Sequence, residues 1–282
     1  MTTPSKIMKE YGYFPKKEFG QNFLVDPSTP EMIIKKAEIE KGSNIIEIGS
    51  GLGALTKAAS RHGDFVFGIE KDKRLIPILE KELEKDLCSN VKIINQDILK
   101  TDIGSLLSTE KKNYLIGNLP YNISSQIIFQ ALEQSHKIEK CVFMLQKELA
   151  QRIAAPKGTK DYGRISVILK YYADLKIIAG LKPSLFYPRP KVDSSVIVIE
   201  FKKEQTNKVK DEKTFHEIVK LSFGQRRKTL KNSLGKGIKD KALLQNIFES
   251  LDLSLSSRGE DLELEDYINI SNKLSENNVN PC

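Results

Sequence analysis

The stretch NIIEIGSGLGALT, residues 44–56, decides the architecture. An Ile-rich run broken only by Glu47 reads as a strand buried on both faces. Gly49, Gly51 and Gly53 follow at once, and then a segment whose apolar residues recur at helical spacing. Glycines at such a turn allow positive φ and remove the Cβ atoms that would keep a ligand away from the backbone. A GxGxG loop alone is common in ordinary turns, so the neighbouring strands carry the decision. The next apolar run, FVFGIEKD (65–72), brings Glu70 about 20 residues downstream, where a carboxylate can accept hydrogen bonds from both ribose hydroxyls. The third, VKIINQD (91–97), ends in Asp97, placed to accept a bond from the exocyclic amine of an adenine. Carboxyl ends of adjacent parallel strands share one crevice, so the three sites converge on an adenosine-bearing ligand.

Four further runs have the same character: YLIGNLPY (114–121), CVFMLQK (141–147), LKIIAGL (175–181) and SSVIVIEF (194–201). Helical patterns such as LIPILEKELEKDL (75–87) lie between strands. Alternating β and α elements imply a mostly parallel, doubly wound α/β sheet. Beyond FKKEQTNKVKDEK (201–213) the strand pattern stops and the remainder reads as short helices. The reading places one domain over residues 1–203 and a small all-helical domain over 204–282.

Composition narrows the class. The chain has 282 residues, 39% hydrophobic and 29% charged, enough to bury a core in one or two domains. Its net charge is +8, which tilts towards a polyanionic partner. That charge is uneven: residues 201–236 carry about +7 and residues 249–282 about −6. Cys88, Cys141 and Cys282 are odd in number and far apart, against a disulfide framework, and no CxxC pair suggests zinc or another metal. No signal-like or membrane-spanning apolar run occurs. The expectation is a cytoplasmic protein without a membrane anchor, and a monomer, because no apolar surface stripe is left over.

Two ligands compete for the crevice. A dinucleotide site usually reads GxGxxG and presents a helix N-terminus to a pyrophosphate. Here Glu47 precedes the glycines, unhelpful to a pyrophosphate but compatible with the cationic methionine end of S-adenosylmethionine. The alternative for Glu47 is an acid that pairs locally.

The fourth strand ends in Asn118-Leu119-Pro120-Tyr121. This tract suits methylation of an exocyclic amine. The N6 lone pair of adenine is delocalised into the ring. An Asn oxygen and a backbone carbonyl near Pro120 can accept its two N–H bonds and favour a more tetrahedral nitrogen. Tyr121 can stack on the base. No proton has to leave before attack, so no general-base histidine is required, and His62, His136 and His216 lie outside the strand-end loops. An adenine within RNA must be turned out to reach such a pocket. Phe186, in LKPSLFYPRPKVDSS, is either a second stacking face or packing beneath its loop.

Taken together, KKEFGQNFLVD, EIGSGLGALT, GIEKD, NQDIL, GNLPYNIS, MLQKELAQRI, YGRISVILKYY, FYPRPKVDSS, FGQRRKTLKNSL and SSRGEDLELEDYINISNKL resemble one family, from about Phe19 to Leu274. It is the small-subunit ribosomal RNA adenine dimethyltransferases of the KsgA/RsmA type. The resemblance implies a Rossmann-like class I methyltransferase sheet with a small all-helical C-terminal domain. It also implies S-adenosylmethionine-dependent dimethylation, at N6, of two adjacent adenines near the 3′ end of 16S rRNA in the pre-30S particle. Carried over, cofactor contacts fall on Asn22, Leu24, Gly49, Glu70, Asp97 and Asn118. The target-base site falls on Asn118, Leu119, Pro120 and Tyr121, with Phe186 as stacking partner.

A sister family, the large-subunit adenine methylases of macrolide resistance, shares the first domain, and FGQRRKTLKNSL separates the two. Within that tract Arg226, Arg227, Lys228 and Lys231 sit at spacings that place at least three on one helical face, suited to RNA phosphates. Pairing of Arg226 and Arg227 with the acidic closing segment is the alternative. An assembly factor acting mainly by binding, and a small-molecule methyltransferase, are the remaining readings. The first should have lost Asn118 or Tyr121; the second leaves the basic tract without purpose.

Overall fold

The computed structural model describes residues 3–225, 227–279 and 281, with the backbone alone at Lys17. The strands in chain order are β1 (Phe23–Leu24), β2 (Ser43–Ile48), β3 (Gly63–Glu70), β4 (Val91–Asn95), β5 (Asn113–Asn118), β6 (Lys140–Gln146), β7 (Ala173–Leu181), β8 (Phe186–Tyr187) and β9 (Ser194–Phe201). The helices are α1 (Pro4–Glu10), α2 (Ser28–Lys36), α3 (Ala54–Ser60), α4 (Ile76–Lys85), α5 (Ser124–Glu133), α6 (Lys147–Ile153), α7 (Arg164–Tyr172), α8 (Glu212–Phe223), α9 (Leu230–Leu234), α10 (Lys241–Ser250) and α11 (Leu264–Glu276).

Seven strands form one sheet in the order β4-β3-β2-β5-β6-β9-β7. β2 is parallel to β3 on one side and to β5 on the other. The chain leaves β2 towards β3, while β5 lies on the opposite flank, so the strand order reverses at β2 and a crevice opens at its carboxyl end. Register levels the strand ends: Ile48 pairs with Ile69 and Gly117, Glu70 with Asn95, and Asn118 with Met144. All seven predicted runs are strands of this sheet, and the α/β class is as expected. One strand departs from the parallel rule: β9 runs antiparallel to β6. The outer strands depart from the expectation of burial on both faces, because each has a sheet neighbour on one side only. In β4 Lys92 and Asn95 are exposed, and in β7 Ile177 is exposed.

The core reflects the β-branched composition of these runs. Ile45, Val66, Tyr114, Ile116, Val142, Val196 and Val198 pack with Ile33 and Ile34 of α2 and Leu55, Ala58 and Ala59 of α3. Burying each large side chain contributes about 1.5–3 kcal/mol. A smaller cluster holds Ile7, Met8, Tyr13 and Phe23 against Leu52, Leu75 and Ile78. β1 pairs antiparallel with β8 in a separate two-stranded ribbon, which no alternation in so short a run announces.

The chain packs as two compact units, residues 1–150 with 174–201, and residues 151–173 with 202–282. The second unit therefore takes in Gln151–Ala173, which the sequence reading assigned to the first domain. The reason lies in aromatic packing: Tyr162 meets Phe223 edge-on at 5.9 Å, and the Tyr171 and Phe215 rings lie 4.9 Å apart. In the second unit, helix starts are capped by Asp211 at α8, Thr229 at α9 and Asp240 at α10. Cys88 and Cys141 are free thiols, whereas Cys282 lies outside the described residues. Among the described residues, no helix is long and apolar enough to cross a membrane.

Candidate active site

The crevice at the end of β2 is a cavity of about 400 Å³. Asn22, Leu24, Gly49, Glu70, Asp97 and Asn118, the six residues named for a cofactor, all line it. They come from five places in the chain, brought level by the register of β2, β3, β4 and β5.

The glycine loop has the backbone its sequence requires. Gly51 holds φ at +55°, and a Cβ there would lie 2.9 Å from the Phe23 ring. Gly53 starts α3 at φ +83°, and its Cβ would lie 2.8 Å from Leu79. Both positions combine left-handed backbone with close packing, which only glycine satisfies without strain.

Glu70 is buried at the end of β3. Its Oε2 accepts the Gly51 N–H at 2.9 Å, and its Oε1 accepts the Asp72 N–H at 2.8 Å. Burial raises its pKa, and backbone bonds from Asp72, Gly51 and Lys71 oppose that rise. A carboxylate has about four acceptor positions, so acceptor capacity remains after these bonds. Asp97 bonds Lys71 Nζ at 2.8 Å and the Leu99 N–H at 3.1 Å, and the ammonium of Lys71 holds it below the ordinary carboxylate range. Glu47 also lines the cavity, yet its Oε2 accepts the Thr56 hydroxyl at 2.5 Å. Burial pushes its carboxyl up to about 7 against the pull of that bond. The local-pairing alternative for Glu47 thus has a named partner on α3.

Asn118 is oriented by a chemical constraint. Its Nδ2 lies 2.6 Å from the carbonyl oxygen of Asn22. A carbonyl can only accept, so the amide nitrogen must face it, and the Oδ1 acceptor is turned the other way. In the following bend, the Pro120 carbonyl already accepts the Ile123 N–H at 3.2 Å and the Ser124 hydroxyl at 2.9 Å. Leu119 is anchored by its buried side chain and by its N–H on the Met144 carbonyl at 3.1 Å. Among the described residues no hydrogen bond reaches its own carbonyl. Tyr121 is half-buried, with its hydroxyl 2.8 Å from Ser194 Oγ.

Phe186 is placed differently from the stacking expectation. Its ring is 1% exposed and belongs to the sheet core. It pairs with Leu24 in the β1–β8 ribbon, while its neighbour Tyr187 pairs with Phe23. The packing alternative describes this position. The basic tract also differs from its reading as one helical face. α8 ends at Phe223, Gly224 follows, and Thr229 caps a new helix, so Arg227 and Lys228 lie exposed in the link and Lys231 sits on α9. Arg226 lies outside the described residues. Among the described ion pairs none joins Arg227, Lys228 or Lys231 to an acid of the closing segment.

Sequence reasoning missed a group beside the cavity: Tyr13, Gln21, Asp72 and Arg74. The Asp72 carboxylate accepts from Tyr13 at 2.9 Å, Gln21 at 3.2 Å and Arg74 Nε at 2.9 Å. Asp72 and Gln21 stand inside two of the quoted motifs, GIEKD and KKEFGQNFLVD, but no spacing rule pairs positions fifty-one residues apart.

Comparison with known proteins gives the family. The ribosomal RNA adenine dimethylase family matches residues 14–276. Ribosomal RNA small subunit methyltransferase A of Desulforapulum autotrophicum is 42% identical over 276 residues, 97% of each chain. The protein of that name from Bacillus mycoides is 38% identical over 285 residues, again 97% of each. Among solved structures, a dimethyladenosine transferase from Plasmodium falciparum superposes with a TM-score of 0.80 at 23% identity, covering 92% of this chain and 100% of its own. The 23S rRNA methyltransferase ErmE gives 0.69 at 24% identity, covering 90% and 100%. At those identities the two structures speak for the fold alone, a class I methyltransferase sheet. With its sequence matched from residue 14 to residue 276, and two relatives of about 40% identity along almost its full length, the chain belongs to the ribosomal RNA adenine dimethylase family.

Proposed function

We propose that this enzyme dimethylates, at N6, two adjacent adenines near the 3′ end of small-subunit rRNA, acting as a cytoplasmic monomer on the pre-30S particle. The observation that carries the reading is the fixed amide of Asn118, its Nδ2 bound to the Asn22 carbonyl, in the cavity that Glu70 also lines. S-adenosylmethionine supplies a methyl group made electrophilic by its sulfonium. The residues present fit that cofactor: Gly51 leaves the loop backbone bare, and Glu70 keeps acceptor capacity for ribose hydroxyls. Asp97 suits an adenine amine, its carboxylate kept ionised by Lys71. Asn22 and Leu24 close the cavity from the β1 side.

For the target base, Asn118 Oδ1 and the Leu119 carbonyl accept the two amine hydrogens. Accepting both draws the nitrogen away from planarity and frees its lone pair. The Pro120 carbonyl, already filled from within its own turn, holds the bend rigid rather than the base. Tyr121 offers a ring face, worth about 1–3 kcal/mol against an unstacking cost of a few kcal/mol. Arg227, Lys228 and Lys231, with Arg226, supply phosphate contacts that hold the RNA without reading its bases.

The test incubates tritiated S-adenosylmethionine with unmethylated small subunits and, separately, with large subunits, and maps the labelled nucleotides. Label confined to two neighbouring adenines of the small subunit is expected; label on the large subunit would favour the sister activity. Asn118→Ala should abolish transfer while RNA binding in a filter assay stays within about twofold. Near-normal turnover would remove Asn118 from the chemistry.

A further inference from the structure

Asp72 sits two residues beyond Glu70 and is 3% exposed. Its carboxylate is surrounded by donors from both sides of the cavity. Tyr13 Oη reaches Oδ2 at 2.9 Å and Gln21 Nε2 reaches the same oxygen at 3.2 Å. Arg74 takes both oxygens, with Nε at 2.9 Å and Nη2 at 2.5 Å, and its guanidinium lies 4.9 Å over the Tyr13 ring. Gln21 Oε1 in turn faces the Tyr13 hydroxyl at 2.7 Å and accepts the Lys16 N–H at 3.0 Å, which closes the N-terminal segment into a knot. Burial would raise the Asp72 pKa, but the bonds from Arg74, Tyr13 and Gln21 outweigh it and keep the group at about 2. The carboxylate is therefore ionised at any working pH.

On one side, the Asp72 N–H fixes Glu70 Oε1. On the other, Gln21 is followed at once by Asn22, whose carbonyl orients Asn118. A continuous path runs Glu70, Asp72, Gln21, Asn22, Asn118, each link a hydrogen bond or a single peptide unit. We propose that Asp72 is a positioning residue: with Tyr13 and Gln21 it docks residues 13–22 so that the cofactor carboxylate and the amine-binding amide are held by one network. This rests on the roles proposed above for Glu70 and Asn118. The sheet core is built from other residues, so loss of the network loosens the segment without unfolding the sheet.

The experiment compares the parent with Asp72→Asn and Tyr13→Phe, the second removing a single hydroxyl. The readouts are kcat and KM on unmethylated small subunits, the dissociation constant of S-adenosylhomocysteine by calorimetry, the rate of tryptic cleavage after Lys16 with and without that compound, and the thermal stability of the sheet. Asp72→Asn should lower kcat about tenfold or more, the size of a lost hydrogen bond to a charged group, with KM for the RNA unchanged. It should weaken S-adenosylhomocysteine several-fold and abolish its protection of the Lys16 site. Tyr13→Phe should do the same to a lesser degree. Both variants keeping kcat within twofold and full protection of Lys16 would overturn the proposal, as would an equal fall in thermal stability of the sheet. A parent without activity on small subunits would instead refute the proposed function, and the calorimetry and proteolysis would still decide the role of Asp72.

Discussion

Replacing Glu47 by glutamine should stabilise the sheet at neutral and alkaline pH, and hardly at all at pH 5. Glu47 is 1% exposed, one residue before the end of β2, and its Oε2 accepts the Thr56 hydroxyl. Burial lifts its carboxyl from 4.5 to about 7. That difference corresponds to roughly 3 kcal/mol favouring the protonated form in the folded state. The sign follows from linkage: stability from the proton is fully present below 4.5 and is lost as pH rises through 7. Glutamine keeps the shape and a bond to Thr56 but does not titrate. At pH 5 the two proteins should differ by less than about 1 kcal/mol, and at pH 8.5 the variant should be the more stable by roughly 3 kcal/mol. The chain has no tryptophan and packs as two units, so a single unfolding signal would mix transitions. Hydrogen exchange at the amides of β2 and β5 reads the sheet alone. Those amides should exchange roughly a hundredfold more slowly in the variant at pH 8.5, and at the parental rate at pH 5. Equal rates at pH 8.5, or a pH-independent loss of stability, would refute the assignment of a buried, largely neutral acid. The same variant tests the other reading of Glu47. If its charge serves a cationic ligand, glutamine should flatten the rise in S-adenosylhomocysteine affinity between pH 6 and 8.

Three further outcomes are expected. Glu70→Gln turns an amide N–H towards a backbone donor, at Gly51 or at Asp72, and should weaken S-adenosylhomocysteine at least tenfold in calorimetry; unchanged affinity would break the ribose assignment. Arg227→Glu with Lys228→Glu should reduce rRNA affinity and lower the slope of log affinity against log salt by about 2, since two phosphate contacts are lost; a parental slope places the RNA elsewhere. Gly51→Ala forces a side chain onto left-handed backbone and into the Phe23 ring, so it should cost about 1–2 kcal/mol in denaturant titration and open the β1 side of the cavity; parental stability would contradict the packing described.

Most of the sheet could be read from sequence because each buried strand is a short β-branched run closed by Gly, Asp, Asn or Pro. What the runs do not encode is who stands beside whom. SSVIVIEF and CVFMLQK look alike whether they pair parallel or antiparallel, so the reversed β9 leaves no trace in periodicity. VKIINQD and LKIIAGL likewise give no hint that they lie at the sheet edges. Amphipathic spacing has the same blindness. Arg164–Tyr172 carries the pattern of a crossover helix, and only its Tyr171–Phe215 contact tells which core it serves. In FGQRRKTLKNSL the local signal is present: Gly224 followed by Thr229 is a stop and a start, and it outranks the spacing of four cations.

The site divides along a different line. Side chains at strand ends, Glu70, Asp97 and Asn118, meet at the cavity because topology alone brings carboxyl ends of neighbouring strands together. The hydrogen bonds that orient them are not legible in the same way. Nothing in the letters shows that a carbonyl at Asn22 dictates which way an amide ninety-six positions away must point. Nor do they show that the Pro120 carbonyl is already occupied, because that depends on a turn whose N–H and hydroxyl donors both reach its oxygen. Phe186 depends on register in the same way. In a two-residue ribbon one step decides whether a ring pairs with Leu24 or with Phe23, and the letters carry no sign of which. Chemistry is legible where the fold class fixes a side chain's position; where a single hydrogen bond or one step of register decides, only the assembled backbone carries the answer.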